Sequence, residues 1–108
     1  MKFTKATATV EGEIVFAKRH DFSNGGGVNT YIVKVTETYT KDGETNNYSQ
    51  SIVCKDFESD TMDYDKGDVI IVSGYLKCNR YKDNNDQWID KGVEVVAESI
   101  IKVDDLPY

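Results

Sequence analysis

Apolar side chains recur at every second position along five separate stretches of this chain, a periodicity that suits half-buried strands and little else. In the first stretch one face reads Ala8, Val10, Gly12, Ile14 and Phe16, with Glu11 and Glu13 between them. The second sets Tyr31, Val33 and Val35 against Thr30, Ile32, Lys34 and Thr36. The third sets Tyr48, Gln50, Ile52 and Cys54 against Ser49, Ser51 and Val53. Val69 to Leu76 is more continuously β-branched, as in a strand buried on both sides, and Val93, Val95, Ala97, Ser99, Ile101 and Val103 alternate again. Turn chemistry separates the stretches: Asn24-Gly25-Gly26-Gly27, then Lys41-Asp42-Gly43, then Lys82-Asp83-Asn84-Asn85-Asp86. Residues 55–66 have room for a short helix at most, with Phe57, Thr61 and Tyr64 on one face and Gly67 to end it. The expected fold is all-β: a five-stranded OB-fold Greek-key barrel with that short helix between strands three and four.

At 108 residues the chain holds one domain, expected over residues 1–103, followed by a short acidic tip at 104–108. The longest apolar runs, Ile14–Ala17 and Val69–Val72, hold four residues each, far short of a membrane span or a signal-peptide core. Cys54 and Cys78 stand 24 apart with one histidine in the chain, which suits two reduced thiols in a cytoplasmic protein better than a zinc site or a disulfide scaffold. The net charge of −6 is uneven. Residues 56–68 carry six acids against one lysine, and Asp104 and Asp105 add two more, so the remainder has 12 basic and 11 acidic residues. An acidic chain is a poor candidate for nucleic-acid binding unless its acid is segregated, as it is here.

No catalytic constellation is assembled. His20 has no nucleophile motif to serve, and Gly25-Gly26-Gly27 leads into a strand where a phosphate loop leads into a helix. The acids of 56–68 lack the spacing of a calcium loop. The chain reads as a binding protein without metal or cofactor. Four aromatics fall in polar surroundings: Tyr39, Tyr48, Tyr81 and Trp88, with Lys34, Lys77, Arg80, Lys82 and Lys91 on the same strands and hairpin. Flat exposed rings beside cations are what unpaired bases need for stacking and phosphate contact, although exposed tyrosines are also common on β-surfaces.

The phrases Gly25-Gly26-Gly27-Val28, Tyr31-Ile32-Val33, Tyr48-Ser49-Gln50-Ser51-Ile52-Val53 and Lys66-Gly67-Asp68-Val69-Ile70-Ile71-Val72-Ser73-Gly74-Tyr75-Leu76 follow in order. Arg80-Tyr81-Lys82-Asp83 and Val93-Glu94-Val95-Val96-Ala97-Glu98-Ser99 complete them. Over roughly residues 8–103 the chain resembles the bacterial and phage single-stranded DNA-binding proteins. The resemblance implies stacking positions at Tyr39, Tyr48 and Tyr81, usually tryptophan in the family, and basic contacts at Lys77 and Arg80. With Lys34, Gln50, Lys82 and Trp88, which has no clear family counterpart, these form the expected DNA-binding set. Cys54 stands where a base-packing phenylalanine is common, so one platform is expected to be missing.

The closing Asp104-Asp105-Leu106-Pro107-Tyr108 is similar to the acidic tip by which these proteins recruit replication and repair partners. Here it follows Lys102-Val103 with no Gly/Pro/Gln-rich linker, so partner capture is expected close to the barrel. The resemblance also implies a homo-oligomer, dimer or tetramer, for which Thr7, Thr9 and Val15 on the outer face of the first strand could pair with a second copy. Its compactness suggests a phage-encoded protein acting in bacterial cytoplasm or nucleoid. The competing reading is an OB-fold adaptor of a replisome that binds proteins and no DNA; a virion component with a small β-barrel is a third. Lys34, Lys77 and Arg80 sharing one face with Tyr48 favours DNA, whereas scatter favours the adaptor.

Overall fold

The computed structural model describes residues 6–103, without the side chains of Arg80, Tyr81 and residues 89–91. Five strands follow one another: β1 (Thr7–Asp21), β2 (Gly27–Lys41), β3 (Glu44–Asp56), β4 (Val69–Lys82) and β5 (Trp88–Lys102). They close into a barrel in the order β1-β2-β3-β5-β4, with β4 returning to β1. All pairings are antiparallel except β3 with β5, where Cys54 and Lys55 lie opposite Val95 and Val96. This is the OB-fold topology. The inward residues Val10, Ile14, Tyr31, Val33, Cys54, Ile70, Val72, Val95 and Ala97 form one core.

Two features depart from simple alternation. Ile14 faces Val33, but the next partner of Val33's neighbour Ile32 is Phe16, so Val15 is an extra residue bulged out of the ladder. The bulge reverses the faces beyond it: Ala17 packs against the core and Phe16, expected inside, turns outward with 46% of its surface exposed. Val15 is thereby half-buried in the bulge, whereas Thr7 and Thr9 are exposed. Residues Thr7–Gly12 pair with β4 alone, which leaves one open strand edge beside Thr7 and Thr9.

The helix expected within 55–66 does not form. The segment is irregular because side chains capture its backbone groups before a helix can use them. Asp56 Oδ1 accepts from the Glu58 amide at 2.9 Å. Arg19 Nη1 donates to Ser59 O and to Asn29 Oδ1, both at 2.9 Å, and Asn29 Nδ2 donates to Thr61 O at 2.8 Å. Asn29 is fully buried, so its amide acts as a pin between the barrel floor and this acidic segment. Tyr64 adds a hydrogen bond from its hydroxyl to Ile100 O at 3.2 Å and stands edge-on to Tyr31 at 6.1 Å between ring centroids.

Burial raises two acidic groups in this core. The Tyr31 phenol is pushed up to about 12, by loss of water first and by the Asp56 carboxylate second; its hydroxyl makes no hydrogen bond of normal geometry. The Cys54 thiol is pushed up to about 11 by burial alone. Their ordinary values are 10.0 and 9.0, so an unfolded chain ionises first as pH rises. The stability contributed by the neutral forms is whole below pH 9 and is lost progressively between about 9 and 12. Thermal melts should therefore fall steeply across that window, and Tyr31→Phe should blunt the fall above pH 10. An unchanged alkaline profile in Tyr31→Phe would show that the phenol carries none of it. Cys78 is exposed and Cys54 buried, so only Cys78 should react with an alkylating reagent before unfolding.

Candidate nucleic-acid interface

Because β3 and β5 run parallel, the β2–β3 and β4–β5 hairpins leave the barrel at the same end. The first is long. Its ladder continues without a bulge from Asn29–Asp56 to Lys41–Glu44, and residues 36–50 are exposed on both faces. Asp42 and Gly43 close it with φ of 54° and 80°, the two positive values that a two-residue type I′ turn demands. The paired strands therefore run past Tyr39 and begin before Tyr48. Threonines sustain them: Thr36 and Ser49 share a hydroxyl hydrogen bond at 3.0 Å, and Thr38 donates to Asn47 Oδ1 at 3.0 Å.

Those pairs occupy one face. Tyr39, opposite Asn46, and Tyr48, opposite Glu37, occupy the other, as diagonal neighbours with 51% and 55% of their surfaces exposed. Gln50, opposite Val35, is exposed on that same face, which nearer the barrel becomes the core side through Ile52 and Cys54. The second hairpin carries Leu76, opposite Val95, and Val93, beyond Val95, on its core-facing side, both exposed at the barrel mouth. Near its tip Trp88 is 64% exposed with Lys82 Nζ 5.4 Å from its ring centroid. Asp83 shapes the turn by accepting from the Asn85 and Gln87 amides.

The expected set is thus only partly gathered. Tyr39, Tyr48 and Gln50 share a face, and Lys82 and Trp88 form a second station on the neighbouring hairpin. Lys34, an odd number of residues from Tyr39 on an unbulged strand, lies on the opposite face with Thr36 and Ser51. Lys77 points outward from β4 opposite Glu94, whose buried carboxylate is held by Lys55 at 2.9 Å. Neither lysine joins Tyr48. The Arg80 and Tyr81 backbones lie opposite Asp90 and Ile89, but their side chains lie outside the described residues, as do Lys91's side chain and all of Asp104, Asp105, Leu106, Pro107 and Tyr108. Cys54 is fully buried in the core and offers no platform. Among the described residues no cluster of three His, Cys, Asp or Glu is placed to hold a metal, and no helix is long and apolar enough to cross a membrane.

Charge is segregated along the barrel axis. The acidic segment 56–68 lies at the end opposite the hairpins, between the close of β3 and the start of β4. The β2–β3 hairpin is not basic: residues 36–50 hold Lys41 against Glu37, Asp42 and Glu44. What the hairpin end presents is ring surface and hydrogen-bonding groups with a few cations. The outward turn of Phe16 is not legible in the sequence, because the Val15 bulge that exposes the ring leaves no mark on the alternation.

No family model matches the sequence, and no curated protein matches it. Among solved structures, Plasmodium falciparum SSB in complex with ssDNA is similar over 95% of this chain and 98% of that chain, with 16% identity and a TM-score of 0.77. A small single-stranded DNA-binding protein from Streptomyces coelicolor is similar over 93% and 95%, with 15% identity and a TM-score of 0.70. A deletion mutant of the single-stranded DNA binding protein from Thermus aquaticus is similar over 90% of this chain and 49% of that chain, at 15% identity and a TM-score of 0.72. The likeness is one of fold.

Proposed function

We propose that this chain binds single-stranded DNA with little regard to sequence, stacking unpaired bases on the rings at the hairpin end. The observation that carries the reading is the free-standing β2–β3 hairpin, which holds Tyr39 and Tyr48 exposed on one face at the same end of the barrel as Trp88 and Lys82. Three solved proteins of the same fold carry single-stranded DNA binding in their names. Every base has a π-face, so stacking of this kind tolerates any sequence. Binding, and no reaction, is the activity this reading assigns. Replication, recombination and repair are the processes that expose such DNA in bacterial cytoplasm. The acidic tip Asp104–Tyr108 would dock replication or repair proteins, and the open β1 edge would pair with a second copy to make a dimer or tetramer.

One observation favours the adaptor reading: Lys34 and Lys77 do not share the tyrosine face. Stacking outweighs it, because the rings need exposure and support, and phosphates can be met from the flanks. The consequence is a shallow salt dependence. Titration with oligo-dT should quench Trp88 fluorescence, and affinity should fall with salt at a log–log slope of about −2, as for three neutralised phosphates on a single strand. An adaptor would leave Trp88 unquenched by a thirty-nucleotide strand even at low salt.

A further inference from the structure

We propose that the free edge of β3 in the β2–β3 hairpin is an interface between copies of this chain, pairing antiparallel with the same edge of a second copy. β3 is paired with β2 along its whole length, but with β5 only where Cys54 and Lys55 meet Val95 and Val96. From Glu44 to Ser51 every residue is exposed, and among the described residues no strand pairs with the second side of this stretch. The two-residue turn at Asp42-Gly43 makes Lys41 and Glu44 a hydrogen-bonded pair, which fixes the direction of the backbone groups beyond it. Glu44, Asn46, Tyr48 and Gln50 turn their amides and carbonyls to β2. Thr45, Asn47, Ser49 and Ser51 turn theirs to the open side.

A strand edge is ordinarily guarded by charge, proline or a bulge. The β2 side of this hairpin carries Glu37 and Lys41. The β3 side has no such guard: residues 45–54 include no charged residue, no proline and no glycine, and the ladder there has no bulge. Copies of a chain with net charge −6 repel one another, and an uncharged edge is where they can meet. Two-fold pairing centred on Tyr48 is self-complementary. It sets Asn47 opposite Ser49 of the second copy, Thr45 opposite its Ser51 and Asn46 opposite its Gln50, each pair able to exchange hydrogen bonds. The same register brings the outward backbone groups face to face and puts the two Tyr48 side chains at a non-hydrogen-bonded site, where side chains lie closest. Tyr39 is the diagonal neighbour of Tyr48, so the joined sheet carries Tyr39 and Tyr48 of both copies in one row. The use of that row to pass DNA from copy to copy rests on the reading above; the seam itself does not. It is also separate from the β1 edge at Thr7 and Thr9.

The test is amide hydrogen exchange of the full chain, without DNA, before and after about hundredfold concentration, with light scattering on the same samples. The amides of Thr45, Asn47, Ser49 and Ser51 should slow by about tenfold or more on concentration, and those of Tyr48 and Gln50, already bonded to β2, should change less. Asn47→Pro removes one outward N–H and no backbone bond to β2, and should lower the mass of the concentrated protein by about half. Asn47→Lys/Ser49→Lys sets like charges across the seam and should do the same. Exchange independent of concentration at the outward amides, or an undiminished mass in both variants, would overturn the seam. Slowing confined to the amides of Thr7 and Thr9 would assign association to the β1 edge and overturn it equally. An oligo-dT titration of the wild-type chain keeps the two readings apart. Binding without any slowing at β3 leaves the stacking reading standing alone, whereas slowing at β3 without binding defeats that reading and leaves the seam.

Discussion

Gly74→Ala is expected to cost this barrel about 3 kcal/mol or more, close to the upper end for overpacking and a large share of the ~5–15 kcal/mol that holds a small domain together. Gly74 lies opposite Ala8 on β1 and Ala97 on β5, beside the irregularity between Ser73 and Gly74. A Cβ built there would overlap the carbonyl oxygen of Val96 and come within 3.1 Å of the Ala97 Cα. Backbone cannot rotate aside as a side chain can, so β4 and β5 would have to separate there. Gly12→Ala is a companion case, since its Cβ would overlap Lys34 O where β1 passes from β4 to β2. At about 4–8 °C per kcal/mol, a melting temperature lowered by some 12 °C or more is the expected reading for Gly74→Ala. Gly25→Ala is the control: nothing lies within 4 Å, and only its φ of 91° opposes the substitution. Equal melting temperatures for Gly74→Ala and Gly25→Ala would mean that β4 and β5 are not packed this closely.

The second large effect is on binding. Replacing Tyr39 and Tyr48 together by alanine removes both platforms of the β2–β3 hairpin. Each stacked base is worth ~1–3 kcal/mol, so the pair should weaken oligo-dT binding by at least about thirtyfold. Both rings are half exposed and pack on no other ring among the described residues, so the melting temperature should move by only a few degrees. That dissociation of affinity from stability separates contact from architecture. A variant with lower stability and unaltered affinity would assign the tyrosines to the hairpin's own support.

Much of the architecture was legible in the alternation of residues such as Val10 and Ile14, Tyr31 and Val33, or Ile70 and Val72. Period-two patterning depends on what each side of a strand meets, which is a local matter. Parity likewise separates Lys34 from Tyr39, because an even and an odd position on one unbulged strand must face opposite ways. Phe16 was illegible. One extra residue in β1 reverses every face beyond it, and a bulge is set by the pairing of β1 with β2, which no single stretch of sequence displays.

The segment 56–68 misleads for a related reason. Its Phe57, Thr61 and Tyr64 have helical spacing, yet Arg19 and Asn29, some 30 to 40 residues away, hold its Ser59 and Thr61 carbonyls. Long-range hydrogen bonds to a buried asparagine outweigh a weak local preference. The reach of the β2–β3 hairpin was also hidden, because its polar residues look like a loop until Thr36, Thr38, Asn47 and Ser49 are seen to bond across it. Those bonds hold Tyr39 and Tyr48 out in water on a firm support.

Everything functional here depends on unpaired bases lying at the hairpin end. The most direct measurement is the oligo-dT titration followed residue by residue through backbone amide NMR shifts. The account predicts that the largest changes cluster within residues 36–50 and around Lys82–Trp88. Saturating oligonucleotide with no change there, or changes confined to the opposite end at residues 22–26 and 56–68, would contradict it.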